Sequence, residues 1–252
     1  VFYMIDGDAI LQLDPETGAE RGRLPVPGVE GTLMWMARIG DVVYVLGGKN
    51  DPPTETMKVH ADFRGWGWSN VDKNYSPQGR QQIRWGFGDT LAAVDLDGGE
   101  PIWKHKRPGI DSRGMAILDD RLFYYVPGTR LACLERSTGD VIWLNDQRET
   151  LRLIEDEAQG LVGTPGFRTT AMLLATPVGL FIQGQKRMNV LAFSIDDGCF
   201  LWSKKKHHNN PNMLYADDRL YISGLEDSGS VRVIDPKTGG TLEDLNFWKG
   251  SC

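Results

Sequence analysis

The sequence predicts an all-β fold, a β-propeller of four-stranded antiparallel blades. Two observations predict it. A turn motif recurs at Gly18, Gly99, Gly139, Gly198 and Gly239, with two of the intervals 40 and 41 residues long. Upstream of four of these turns lies a further pair of β-rich runs. Four strands in about 40 residues is the period of a propeller blade.

The five turn copies read LQLDPETGAERG (11–22), AAVDLDGGEPIW (92–103), ACLERSTGDVIW (132–143), AFSIDDGCFLW (192–202) and VRVIDPKTGGTLE (231–243). In each, an alternating strand ends in a polar turn and leaves as a second strand. Glycine supplies the positive φ that a tight hairpin needs. An Asp at the turn start, as at Asp14, Asp95 and Asp235, can accept from the backbone ahead. Trp103, Trp143 and Trp202 each lie four residues past the glycine, on the returning strand, where an indole can cover the apolar side of a neighbouring sheet. The upstream pairs are MWMARIGDVVYVLGG (34–48), MAILDDRLFYYVPG (115–128), MLLATPVGLFIQG (172–184) and MLYADDRLYISG (213–224), each broken by a short turn. The expected single domain has blades at about 1–27, 31–107 with an insertion at 49–89, 112–147, 168–206 and 211–247. The first of them lacks its strand A.

The pattern A-x-D-x-x-x-G-x-x-x-W resembles the tryptophan-docking repeat of the PQQ-like, quinoprotein-type propeller family. Ala93, Asp95, Gly99 and Trp103 carry it in full. Cys133 and Glu135 replace Ala and Asp in the next copy, which keeps Gly139 and Trp143. Ser194 replaces Asp between Ala192 and the pair Gly198 and Trp202. The first and fifth copies keep the Asp and Gly without the Trp. The resemblance spans nearly the whole chain outside the insertions. It implies rings of seven or eight blades, so five blades read as part of a larger ring or as one closed by a partner. A five-bladed ring is the remaining alternative. The opening VFYMIDGD begins inside a strand, without Met or leader, and reads as a piece of a longer protein. The resemblance implies a bacterial, exported protein of the periplasm or cell envelope.

Composition excludes several classes. The 252 residues carry a net charge of −6, which disfavours binding to a phosphate backbone. Cys133, Cys199 and Cys252 form no CxxC, so neither a zinc site nor a disulfide framework is indicated, and one pairing stays open. The longest apolar run, 172–182, is too short and interrupted to cross a bilayer.

In a propeller the D–A and B–C loops share one face, and the long insertions of this chain fall there. The 49–89 insertion carries Trp66, Trp68, Trp85 and Tyr75 among polar residues. Such rings can stack on a sugar or form the loop's own small core. A second insertion, 144–165, contains ETLRLIEDEAQGL (149–161), which reads as a short helix with Leu151, Ile154, Ala158 and Leu161 on one face, the alternative use being a surface cover packed between blades. Arg113, Arg168, Lys186, Arg187, His207, His208 and Asn212 lie at the loop ends around the expected funnel. Cations there suit an anionic ligand or an acidic glycan. The alternative is pairing with Asp111, Glu149 or Glu155. His207 and His208 are adjacent and lack a third partner, so no metal site is expected.

Three function classes follow. The favoured one is a non-catalytic ligand- or partner-binding scaffold with no cofactor, since other members of the resembled family serve as platforms for another polypeptide. The resemblance also implies a quinoprotein oxidoreductase of alcohols or sugars, using PQQ with calcium. In those enzymes a vicinal cysteine pair is common, and none is present here. The third class is a carbohydrate-active enzyme on acidic glycans, with His207 or Tyr75 as base beside an Arg.

Overall fold

Apolar residues at every second position give a run one face to bury, and such runs pair through their backbones into sheets. The computed structural model describes residues 1–49, 87–126, 128–155, 173–183, 189–205, 212–223 and 230–246. The first sheet holds β1 (Phe2–Asp6), β2 (Ala9–Leu13) and β3 (Glu20–Pro25). The second holds β4 (Thr32–Ile39), β5 (Val42–Gly48), β6 (Phe87–Asp95) and β7 (Pro101–Asp111). The third holds β8 (Met115–Leu118), β9 (Arg121–Val126), β10 (Arg130–Glu135) and β11 (Val141–Asn145). Then come β12 (Leu173–Thr176), β13 (Gly179–Gln183), β14 (Asn189–Phe193) and β15 (Phe200–Lys205). The last sheet is β16 (Asn212–Ala216), β17 (Arg219–Ser223), β18 (Ser230–Ile234) and β19 (Thr241–Asn246). Every sheet is a meander in chain order, as propeller blades are. One helix, α1 (Arg148–Glu155), joins them among the described residues.

The chain divides into two compact units, Val1–Ser112 with Leu134–Val141, and Arg113–Cys133 with Ile142–Cys252. In the first unit, Ile10 of the first sheet packs with Val43, Val45, Ala92 and Val94 of the second. In the second unit, α1 inserts Leu151 and Ile154, both fully buried, into a core with Phe123, Leu180, Leu191 and Phe193. The expected helix therefore forms and covers a sheet. Its expected positions 158 and 161 lie outside the described residues.

Two short turns show the local chemistry. Leu118 pairs with Arg121, and Ala216 pairs with Arg219, so each link has two residues. Asp119, Asp217 and Asp218 sit at positive φ (48–54°) in these turns. Two-residue hairpins need that conformation, and Asp tolerates it better than most side chains.

The second blade, expected to end at 107, is longer: β7 runs on to Asp111, with Phe87 paired to Asp111 and Gly88 to Ile110. Pro108 falls in the irregular stretch between the pairs Thr90–Lys106 and Gly88–Ile110. No regular ladder bond is required of it there.

Registers explain why the motif opens with a small residue. Tyr44, Ala93 and Trp103 stand side by side across three strands, as do Phe181, Ala192 and Trp202. Residues two strands apart are about 9–10 Å apart along the sheet. The rings nonetheless meet at 6.2 Å and 5.8 Å between centroids, leaning over the alanine. Phe123 and Trp143 repeat the contact at 6.0 Å. Ala192→Leu would force these rings apart in a fully packed interior, at a cost of roughly 1–3 kcal/mol. A denaturant midpoint unchanged from wild type would contradict this.

Candidate functional site

The recurring turn is the most elaborated local feature. In all five copies the glycine N–H donates to the carbonyl four residues back: Gly18 to Asp14, Gly99 to Asp95, Gly139 to Glu135, Gly198 to Ser194 and Gly239 to Asp235, at 2.8–3.0 Å. Each of these glycines has φ of 70–77°. A side chain at the turn start then accepts the N–H two residues ahead. Asp14 does so from Glu16 at 2.9 Å, Asp95 from Asp97 at 3.2 Å and Asp235 from Lys237 at 2.9 Å. Glu135 and Ser194, the departures from the motif, do the same for Ser137 and Asp196 at 3.3 Å. Any short acceptor at this place closes the turn.

The three motif tryptophans each reach the turn of the following sheet. Trp103 Nε1 donates to the Arg136 carbonyl at 2.9 Å, Trp143 Nε1 to Ile195 at 3.1 Å and Trp202 Nε1 to Pro236 at 3.0 Å. The acceptor is always the residue just after the turn start. Each indole also lies on the turn glycine. A Cβ on Gly139, Gly198 or Gly239 would stand 2.5–2.8 Å from the ring, closer than packed carbons approach. Two residues past the Trp comes a second tie. Asn145 Nδ2 donates to the Gly198 carbonyl at 2.7 Å, and Lys204 Nζ to Gly239 at 2.7 Å. Arg121 adds a third, donating to Ile195 at 2.6 Å. Where the first sheet has no Trp, Leu24 lies on Gly99 instead. Leu24, Asn145, Lys204 and Arg121 escape a motif reading because each comes from outside the A/D/G/W positions.

The turn carboxylates are tuned by these bonds. Backbone N–H groups of Thr17 and Glu16, then the Arg21 guanidinium, hold Asp14 below the usual carboxylate range. The Lys237 N–H and the Thr238 hydroxyl do so for Asp235. Ser194 and Cys199 lower Asp197, and the same Asp197 pushes the Cys199 thiol up. Cys199 lies exposed and Cys133 buried.

The loop-face candidates are only partly visible. Arg168, Lys186, Arg187, His207, His208, Trp66, Trp68, Trp85 and Tyr75 lie outside the described residues. Arg113 is 5% exposed and follows the buried Asp111 and Ser112, so its cation is not presented on an open surface. Asn212 begins β16, is exposed and pairs with Ser223. Among the described residues no group of His, Cys, Asp and Glu is arranged to hold a metal ion, and no helix is long and apolar enough to cross a membrane.

With this geometry in hand, the profile of the family described as outer membrane protein assembly factor BamB matches residues 88–249. The chain belongs to this BamB family. Among solved structures, BamB from Moraxella catarrhalis resembles it with a TM-score of 0.50 at 15% identity, over 97% of this chain and 73% of that one. That likeness shows the β-propeller fold, in which the five meander sheets are blades. None of the curated protein sequences compared matches the chain.

The lowered turn carboxylates make this BamB-family fold acid-sensitive with a definite sign. A carboxyl with a depressed folded pKa stabilises above the unfolded value and loses that contribution as pH falls through the folded one. Denaturant midpoints should stay level from pH 7 to about 5 and fall below about 4, the ordinary carboxylate range. The double variant Asp14→Asn/Asp235→Asn should show a shallower fall. An equally steep one would contradict the assignment.

Proposed function

We propose that this BamB-family propeller is a non-catalytic scaffold of the bacterial cell envelope that binds a polypeptide of the outer-membrane assembly machinery. The observation that carries this reading is where the repeat's polar groups go. The carboxylates of Asp14 and Asp235 accept backbone and hydroxyl hydrogens of their own turns. The indole N–H groups of Trp103, Trp143 and Trp202 are given to carbonyls of the next sheet. The repeat is thus a packing device, and it leaves recognition to loops and exposed strands on a rigid frame. The family match supports a polypeptide as the class of partner. A fold shared with quinoproteins does not carry their chemistry with it.

Two titrations of the purified chain test this. Fluorescence anisotropy of the labelled chain against the purified periplasmic part of the outer-membrane assembly machinery should show saturable binding. Titration with PQQ and calcium, followed by tryptophan fluorescence and dye-coupled alcohol oxidation, should give neither quenching at stoichiometric PQQ nor turnover. Turnover with PQQ, or no binding to the assembly machinery, would overturn the scaffold reading.

A further inference from the structure

Each sheet ends on a last strand, β3, β7, β11, β15 or β19, whose outer edge has no further strand beside it among the described residues. Such an edge presents backbone N–H and C=O groups to any chain that can pair with them, and charges or prolines on the strand keep other chains off. Four of the five are guarded in this way. β3 carries Arg21 and Pro25, and β7 carries Pro101 and Lys104. β15 carries Lys204 and β19 carries Glu243. β11, Val141–Asn145, has neither a charge nor a proline.

The side chains of β11 divide by face, as successive residues of a strand do. Trp143 and Asn145 are buried and donate to the Ile195 and Gly198 carbonyls. Ile142 and Leu144 point the other way and are 42% and 43% exposed. The strand is therefore held in place by one face while the other face is aliphatic and open. A strand already fixed loses little freedom when a partner pairs with it. Carboxylates stand at both ends. Asp140 precedes the strand and is exposed, and Asp146 follows it, with its side chain 68% exposed although Arg130 lies 3.6 Å away.

We propose that the open edge of β11 takes up an extended segment of a partner polypeptide as a fifth strand, a segment with aliphatic or aromatic residues at alternate positions and a basic residue at each end. Its backbone would pair with the edge, its apolar side chains would lie beside Ile142 and Leu144, and its cations would face Asp140 and Asp146. The occupant being a polypeptide partner rests on the scaffold reading. A second copy of this chain suits the edge poorly. Two β11 strands paired in register set Asp140 against Asp146 when antiparallel, and each against itself when parallel. Like charges directly opposite weaken a strand pair, and each copy carries a net −6.

The probe is a fluorescein-labelled peptide of alternating valine and threonine with lysine at both ends, titrated against the full 252-residue protein by anisotropy. Saturable binding is expected, with slowed amide exchange in β11. Leu144→Lys puts a guarding charge on the exposed face and should weaken binding at least tenfold. Because Leu144 is exposed, the denaturant midpoint of that variant should stay near wild type. Glutamate in place of the peptide's lysines should weaken binding to a similar degree. Absence of saturable binding, or binding indifferent to Leu144→Lys, overturns the proposal. Self-association of the protein alone by light scattering, abolished by Leu144→Lys, would give the edge to a second copy and also overturn it. The same variant titrated against the periplasmic part of the assembly machinery separates the two readings. Equal binding of variant and wild type overturns the edge as the docking site and leaves the scaffold reading standing. Machinery that binds neither protein, with the peptide still captured by wild type, overturns the scaffold reading and supports the edge.

Discussion

The structure depends on a side chain of one sheet lying flat on the turn glycine of the next. Trp143 on Gly198 is the fullest case. The indole face covers the glycine, its N–H reaches the Ile195 carbonyl, and Asn145 takes the glycine's own carbonyl. The turn must place a residue without a Cβ at positive φ, and the outer strand must place a large flat side chain opposite. Either requirement alone would give an ordinary hairpin. Together they tie the outer strand of one sheet to the turn of the next. Burial of an aromatic with its one polar atom satisfied adds stability that scattered apolar contacts would not supply.

The same constraint reaches inward. Phe181 leans across Ala192 to meet Trp202, so the first motif residue must be small. Tyr44 does so across Ala93, and its ring also carries the Arg136 guanidinium, whose Nη1 lies 3.2 Å from the Tyr44 hydroxyl. The repeat thus fixes strand register, turn geometry and inter-sheet contact with four residue positions. None of the four is left to bind a ligand, which is why function in this BamB-family fold is sought on loops and on sheet faces.

Much of this was legible because it is local. Gly99 four residues before Trp103 is a spacing, and spacings survive in a sequence. So are the D-D-R turns at Asp119 and Asp217, and the apolar stripe of Leu151 and Ile154. What could not be read lies between distant residues. Leu24 stands in for a tryptophan only because β3 carries it to Gly99. Glu135 and Ser194 break the motif but not the turn, since the backbone asks only for an acceptor within reach. Arg113 looked like a cation at a funnel mouth, yet it is buried, because the strand before it runs four residues further than its Pro108–Gly109 pair suggests. A charge in a loop sequence says nothing about whether its surroundings are water or protein.

The most direct test is a double-mutant cycle on Trp143→Ala and Gly198→Ala, read by denaturant unfolding. If the indole rests on the glycine, adding a methyl at Gly198 disrupts the contact only while the indole is present. In the Trp143→Ala background the glycine change should then cost only its backbone strain, about 1–2 kcal/mol. The coupling should be about 1 kcal/mol or more. Additivity within about 0.5 kcal/mol would show that the two residues act independently, and the central contact would be refuted.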